Sequence, residues 1–232
     1  MALKPFFSLI FALFLFSCSF EQEEQLNYEA EFNSIVSEFE KSSILNFDRK
    51  DIEKDTFLEQ FITKLDKQKN TFLQEDLNKF RENSNNNIKS NYQQLKEVVD
   101  LYYQRYEESL KTRRQYLNDF EFNYNKNEQI NLKPRDSFFQ NKQEKQDYQR
   151  KIVKNELINL LLENKNNFEA KSELKKTYTN RLSSISKIRE SDRFGILANN
   201  FLSMLDPHAS YFSERDLENW NLRMNLSFEG IG

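Results

Sequence analysis

The chain has 232 residues, with 34 Lys+Arg against 37 Asp+Glu and a formal net charge of -3. That excludes a strongly basic nucleic-acid binder as the default reading. Charged residues make up 31%, above the roughly 25% of an average domain, which favours an elongated or shallow-cored shape, while 22 Phe and 10 Tyr are too many for a disordered tail.

There are 3 glycines and 3 prolines. No glycine precedes Gly195, and Pro134 is the only proline between Pro5 and Pro207. Nucleotide-binding folds need glycine where backbone approaches phosphate, and all-β folds need it in turns. Residues 20–205 therefore read as helical. One Cys (Cys18) and one His (His208) allow no intrachain disulfide and no Cys/His zinc site. No metal ligands and no cofactor are expected.

Lys4 precedes the apolar run Phe6–Phe16, and Ser17 and Cys18 follow it. A positive start, an apolar stretch of this length and small residues after it make an export signal. The run is too short for a membrane-spanning helix, which needs about 20 residues. Residues 1–17 are the expected signal peptide and 18–30 a polar tether.

Phe32, Ile35, Val36 and Phe39 then recur at helical spacing. A second helix is predicted over Asp51–Asp66 and a third over Gln74–Glu82. The run Asn83–Asn87 reads as a loop, because Asn and Ser compete for helical backbone bonds. Ile88, Tyr92, Leu95, Val99, Tyr102 and Tyr106 follow a heptad-like spacing, which predicts a long helix over Ile88–Phe122 packed on a neighbour. Residues 123–140 form a connection around Pro134. Further helices are predicted over Glu144–Glu163, Glu169–Arg189, and from a cap at Ser191/Asp192 to Leu205.

After Leu205 the pattern changes. Asp206-Pro207-His208 reads as a turn, and Ser213 with Asp216 as a capping box opening a short helix to Asn221. Leu222, Met224, Leu226 and Phe228 then alternate with polar residues, the pattern of a strand with one buried face. A lone strand is unstable, so Gly232 reads as a cut. The fold class is all-α: a helical domain over 31–221, then the first strand and loop of a further domain over 222–232.

Two segments carry a resemblance. Asp206-Pro207-His208-Ala209-Ser210-Tyr211-Phe212-Ser213, followed after a short helix by Met224-Asn225-Leu226-Ser227-Phe228-Glu229-Gly230-Ile231-Gly232, resembles the tail-specific, or carboxyl-terminal processing, proteases of bacteria. It departs from their pattern at Ala209, where Thr is usual, and at Glu214, where Pro is usual. Upstream, Phe57–Asp76 is similar to the family's helix-and-turn segment and Leu101–Arg114 to its long helix. The resemblance implies a periplasmic serine protease with a helical amino-terminal domain, a PDZ domain and a protease domain using a Ser-Lys dyad. It implies that the 232 residues end as the PDZ domain opens, so that the dyad lies outside them and they are inactive alone. Gly230, Ile231 and Gly232 would start the loop that captures a substrate's terminal carboxylate, a role suited to glycine and to exposed backbone N–H groups; a plain glycine turn is the alternative. Leu15-Phe16-Ser17-Cys18 resembles the lipoprotein box, with Cys18 lipidated; the alternative is an ordinary signal peptide with an incidental Cys. The implied partners are protein substrates with apolar carboxyl termini, a helical-repeat lipoprotein adaptor and, through the anchor, a membrane. The competing reading is a lipid-anchored helical binding protein without catalysis.

Other candidates read as structural. His208 lies in the predicted turn with no nucleophile placed by spacing. Ser172 with Lys175, and Ser184 with Lys187, match Ser-x-x-Lys but lack the accompanying motifs. Lys111, Arg113 and Arg114 read as a solvated helix face, and the pairs Glu23-Glu24 and Glu107-Glu108 are expected by chance in so acidic a chain.

Overall fold

Phe57 and Phe61, Leu95 and Val99, and Phe194, Leu197 and Phe201 recur three and four residues apart along their segments, and all are buried. That is the helical periodicity that lets a helix hide one side. The structure, a computed structural model, describes residues 27–42, 55–85 and 91–226. Among these, eight helices follow in order: α1 (Tyr28–Ser42), α2 (Asp55–Leu65), α3 (Gln74–Asn85), α4 (Asn91–Asp119), α5 (Lys142–Leu162), α6 (Asn167–Ile185), α7 (Glu190–Leu205) and α8 (Glu214–Leu226). The all-α class is therefore observed. None of the helices is long and apolar enough to cross a membrane.

Helix α4 is the axis. It packs against α1, α2, α3, α5, α6 and α7. In its first turn Tyr92 meets Phe32 of α1 and Phe194 of α7. Further along, Arg113 Nε donates to Gln149 Oε1 of α5 at 2.5 Å. The heptad spacing predicts packing on a neighbouring helix, and the structure places helices on several sides. Val98, Tyr103, Leu110 and Leu117 are buried as well, whereas Tyr102 and Tyr106 are only partly buried. A helix enclosed on several sides buries more than one stripe.

Helices α5 and α6 form a hairpin on α4. Asn164, just past α5, takes a left-handed φ of 66°, a conformation Asn tolerates at helix ends. Asn166 then caps α6: its side chain accepts from the Glu169 N–H, while the Glu169 carboxylate accepts from the Asn166 N–H, each at 3.0 Å. Helix α2 packs on α7 through Phe57 and Phe201, with ring centroids 5.7 Å apart. Phe201 also meets Phe32 edge-on, so α1, α2 and α7 share one aromatic seam.

Several expected boundaries move. Helix α1 begins at Tyr28, inside the expected tether. Helix α3 runs on to Asn85 through part of the expected Asn/Ser loop, where residue propensity is only a weak guide. Helix α7 opens at Glu190, not at Ser191/Asp192; Asp192 acts from within the first turn, accepting the Arg189 N–H at 3.0 Å.

The largest correction is at the end. The capping box forms as read, with the Asp216 N–H donating to Ser213 Oγ at 3.2 Å. The helix it opens continues to Leu226, so Leu222–Leu226 are helical where the alternation predicts a strand. A strand needs a neighbour for its backbone bonds, and no strand is present among the described residues. A helix satisfies those bonds locally. Residues 227–232 lie outside the described residues, as do the expected signal peptide and Cys18.

Candidate functional site

Two polar constellations stand out against the apolar core. The first is built on the turn between α2 and α3. Apolar periodicity ends at Leu65, and the next residue, Asp66, is buried. Its carboxylate accepts the backbone N–H groups of Asn70 (3.2 Å), Thr71 (2.9 Å) and Phe72 (3.1 Å). One short side chain thus folds the turn from Asp66 to Phe72. At the turn's end the Leu73 N–H donates to Asp76 Oδ2 at 2.9 Å.

Asp76 is in turn held by Arg105 of α4, whose Nε donates to Oδ2 at 3.0 Å and Nη2 to Oδ1 at 2.6 Å. Arg105 Nη1 also donates to Glu108 at 3.0 Å. From α5, the buried Lys145 ammonium donates to the carbonyl oxygens of Thr71 and Arg105. Burial, with the nearby Arg105 charge, pulls the Lys145 pKa down to about 8. Leu73 and Phe139 form an isolated parallel bridge, and the Gln74 N–H donates to the Phe139 carbonyl at 2.8 Å. Four parts of the chain therefore converge on one buried ionic node. Each cation is matched by carboxylates or carbonyls, so the node fixes geometry and offers no free nucleophile.

The second constellation is the exit from α7. Asp206 Oδ1 accepts the His208 N–H at 2.8 Å and the Asp206 carbonyl accepts the Ala209 N–H at 3.1 Å. The expected turn is therefore formed. Beyond it, Tyr211 returns to the helical body and touches Asn199 of α7 and Glu31 of α1.

A sequence profile described as the tail specific protease N-terminal domain matches residues 35–215. The match runs from within α1 to the start of α8 and includes the buried node and the exit from α7, though not Glu31. The chain belongs to the tail-specific protease N-terminal domain family. It is also similar to a tail-specific protease of Haemophilus influenzae, 40% identical over 80 residues; that stretch is 34% of this chain and 12% of the relative.

The two upstream segments on which the family likeness was read, Phe57–Asp76 and Leu101–Arg114, are those that meet at the buried node. Asp66, Asp76, Arg105 and Lys145 were not singled out by sequence reasoning. The available signal was their place: acids at the end of one apolar stripe and the start of the next helix, and an Arg inside the apolar run of α4.

Among the described residues, the other candidates read from the sequence do not assemble into a site in this tail-specific protease domain. His208 and Ser210 are exposed. Ser184 donates to the Asn180 carbonyl at 3.0 Å, as surface helix serines do, and Ser172, Lys175 and Lys187 are exposed. Lys111 pairs with Glu107 at 2.7 Å, while Glu108 serves Arg105. Gly230, Ile231, Gly232 and Cys18 lie outside the described residues. Among the described residues no cluster of three or more His, Cys, Asp or Glu is arranged to hold a metal.

Proposed function

We propose that the chain is the helical amino-terminal part of an exported, tail-specific serine protease. The family match over residues 35–215 supports this reading. The helices act as a scaffold that limits access to the substrate-binding and cutting domains, and α4, braced on most sides, gives that scaffold rigidity. The Ser-Lys dyad lies outside these residues. Gly230, Ile231 and Gly232 open the PDZ loop that takes the apolar carboxyl terminus of a protein substrate by strand addition. Cys18 carries the lipid that anchors the enzyme on the periplasmic side of a membrane, and a helical-repeat lipoprotein adaptor docks on the outer faces.

The test uses the purified 232-residue chain and the longer product of the same reading frame, each given proteins ending in apolar or charged residues. The expected result is no cleavage by the shorter chain. The longer product cleaves only apolar-tailed proteins, and loses that activity when the dyad serine is replaced by Ala. A frame that stops at Gly232, or cleavage by the shorter chain, overturns the reading. A stop there leaves the anchored, non-catalytic binding protein.

A further inference from the structure

The segment between α7 and α8 is docked on the helical body chiefly through Tyr211, with Ala209 half-buried against the core beside it. The Tyr211 N–H donates to Asn199 Oδ1 at 2.8 Å, and the Tyr211 carbonyl accepts from Asn199 Nδ2 at 3.1 Å. A single amide side chain thus pairs with Tyr211 as a neighbouring strand would. The Tyr211 hydroxyl donates to Glu31 Oε1 at 2.6 Å. Its ring stands edge-on to Phe194, with centroids 5.3 Å apart, and Phe194 also carries Tyr28 of α1 at 4.8 Å. On either side of Tyr211, Ser210 and Phe212 are exposed. Burial and the adjoining Glu31 carboxylate push the Tyr211 phenol pKa up, so the hydroxyl remains a donor throughout the neutral range.

One feature makes this docking two-sided. The second oxygen of Glu31, Oε2, is buried and has no hydrogen-bond partner among the described residues. A buried carboxylate oxygen without a donor carries a desolvation cost. Docking therefore combines four favourable contacts with one unfavourable group, and opening rehydrates that group.

We propose that Asn199, Tyr211 and Glu31 form a cooperative latch. Closed, it fixes the direction in which the chain leaves α7. Open, it releases the 206–213 segment and the first turn of α1 together. Helix α8 carries exposed Leu217 and Trp220, so the latch decides where that apolar surface points. The latch is independent of the protease reading: it concerns this chain's own residues and is tested without activity.

Amide hydrogen exchange on the full chain tests it. The probes are the N–H of Tyr211 and those of Ala30 and Glu31, which donate to Asn27. Asn199→Ala does not touch α1, and Tyr211→Phe keeps the backbone bonds to Asn199. Each substitution is nevertheless expected to speed exchange at both probe sets by about tenfold, with α4, α5 and α6 unchanged. The latch is overturned if Asn199→Ala affects only Tyr211 and Tyr211→Phe only Ala30 and Glu31, if neither set responds, or if exchange rises evenly through α4–α6.

Discussion

Arg105 and Asp76 meet in a two-point ion pair, at 3.0 Å and 2.6 Å, with the Asp76 side chain buried and that of Arg105 nearly so. The pair joins α4 to the first turn of α3. Asp76 also receives the Leu73 N–H, so the same carboxylate closes the turn and anchors the axis helix. A bidentate guanidinium–carboxylate contact of this kind fixes orientation as well as distance. Removing one partner strands the other charge. Asp76→Ala is expected to lower unfolding stability by about 3 kcal/mol. The double variant Asp76→Leu/Arg105→Met should recover part of that loss, because it leaves no unpaired buried charge. Urea denaturation of the single and double variants measures both.

Lys145 gives a pH dependence opposite to that of a lysine gaining a surface partner. Its folded pKa is about 8, below the ordinary value of 10.5. Below pH 8 the lysine is charged in both states, and the folded state bears the cost of a buried charge. Between pH 8 and 10.5 the unfolded state binds more protons than the folded one, so this group's contribution to stability rises with pH. The gain should be on the order of 3 kcal/mol. Lys145→Met should remove this rise. Stability curves of the two proteins from pH 7 to 10, subtracted, isolate it; parallel curves would contradict the assignment.

Glu128 acts on the acid side. Arg150 holds it bidentately at 2.6 Å and 3.2 Å, and Lys154 adds a third bond at 2.8 Å. These cations hold its pKa at about 2, against an ordinary 4.5. A depressed carboxyl pKa contributes stability that is complete above 4.5 and is lost as pH falls toward 2. Glu128→Gln should therefore be less stable than the parent at pH 6, with the difference shrinking between pH 4.5 and 2. Thermal unfolding at pH 6, 4 and 3 reads this out.

Leu110 and Leu162 are both helix leucines with opposite environments. Leu110 is 0% exposed on the axis helix, and Leu162 is 77% exposed at the end of α5. Leu110→Ala should cost about 2–5 kcal/mol through lost burial and a cavity. Leu162→Ser should stay within about 0.5 kcal/mol. Calorimetric Tm values for the two variants compare them directly.

The helices and the family were legible in the sequence, because both are written locally. Apolar residues three and four apart specify a buried helix face wherever it packs. Ser213 with Asp216 is a cap whatever lies beyond it, and Asp206-Pro207-His208 is a turn for the same local reason. Tertiary structure alone decided which partners those faces meet. The spacing in α4 could not show that helices enclose it on several sides, since a wheel records only that a face is apolar. The node joining Asp66, Asp76, Arg105 and Lys145 draws on residues up to 79 positions apart, and the Glu31–Tyr211 contact spans 180. No periodicity encodes such pairs, because their energy comes from desolvation and charge that exist only once the helices have met. The same reason explains Leu222–Leu226. Alternation specifies which side chains share a face of a strand, but a strand's backbone bonds come from a neighbour; among the described residues no strand supplies them, and the local bonds of a helix prevail.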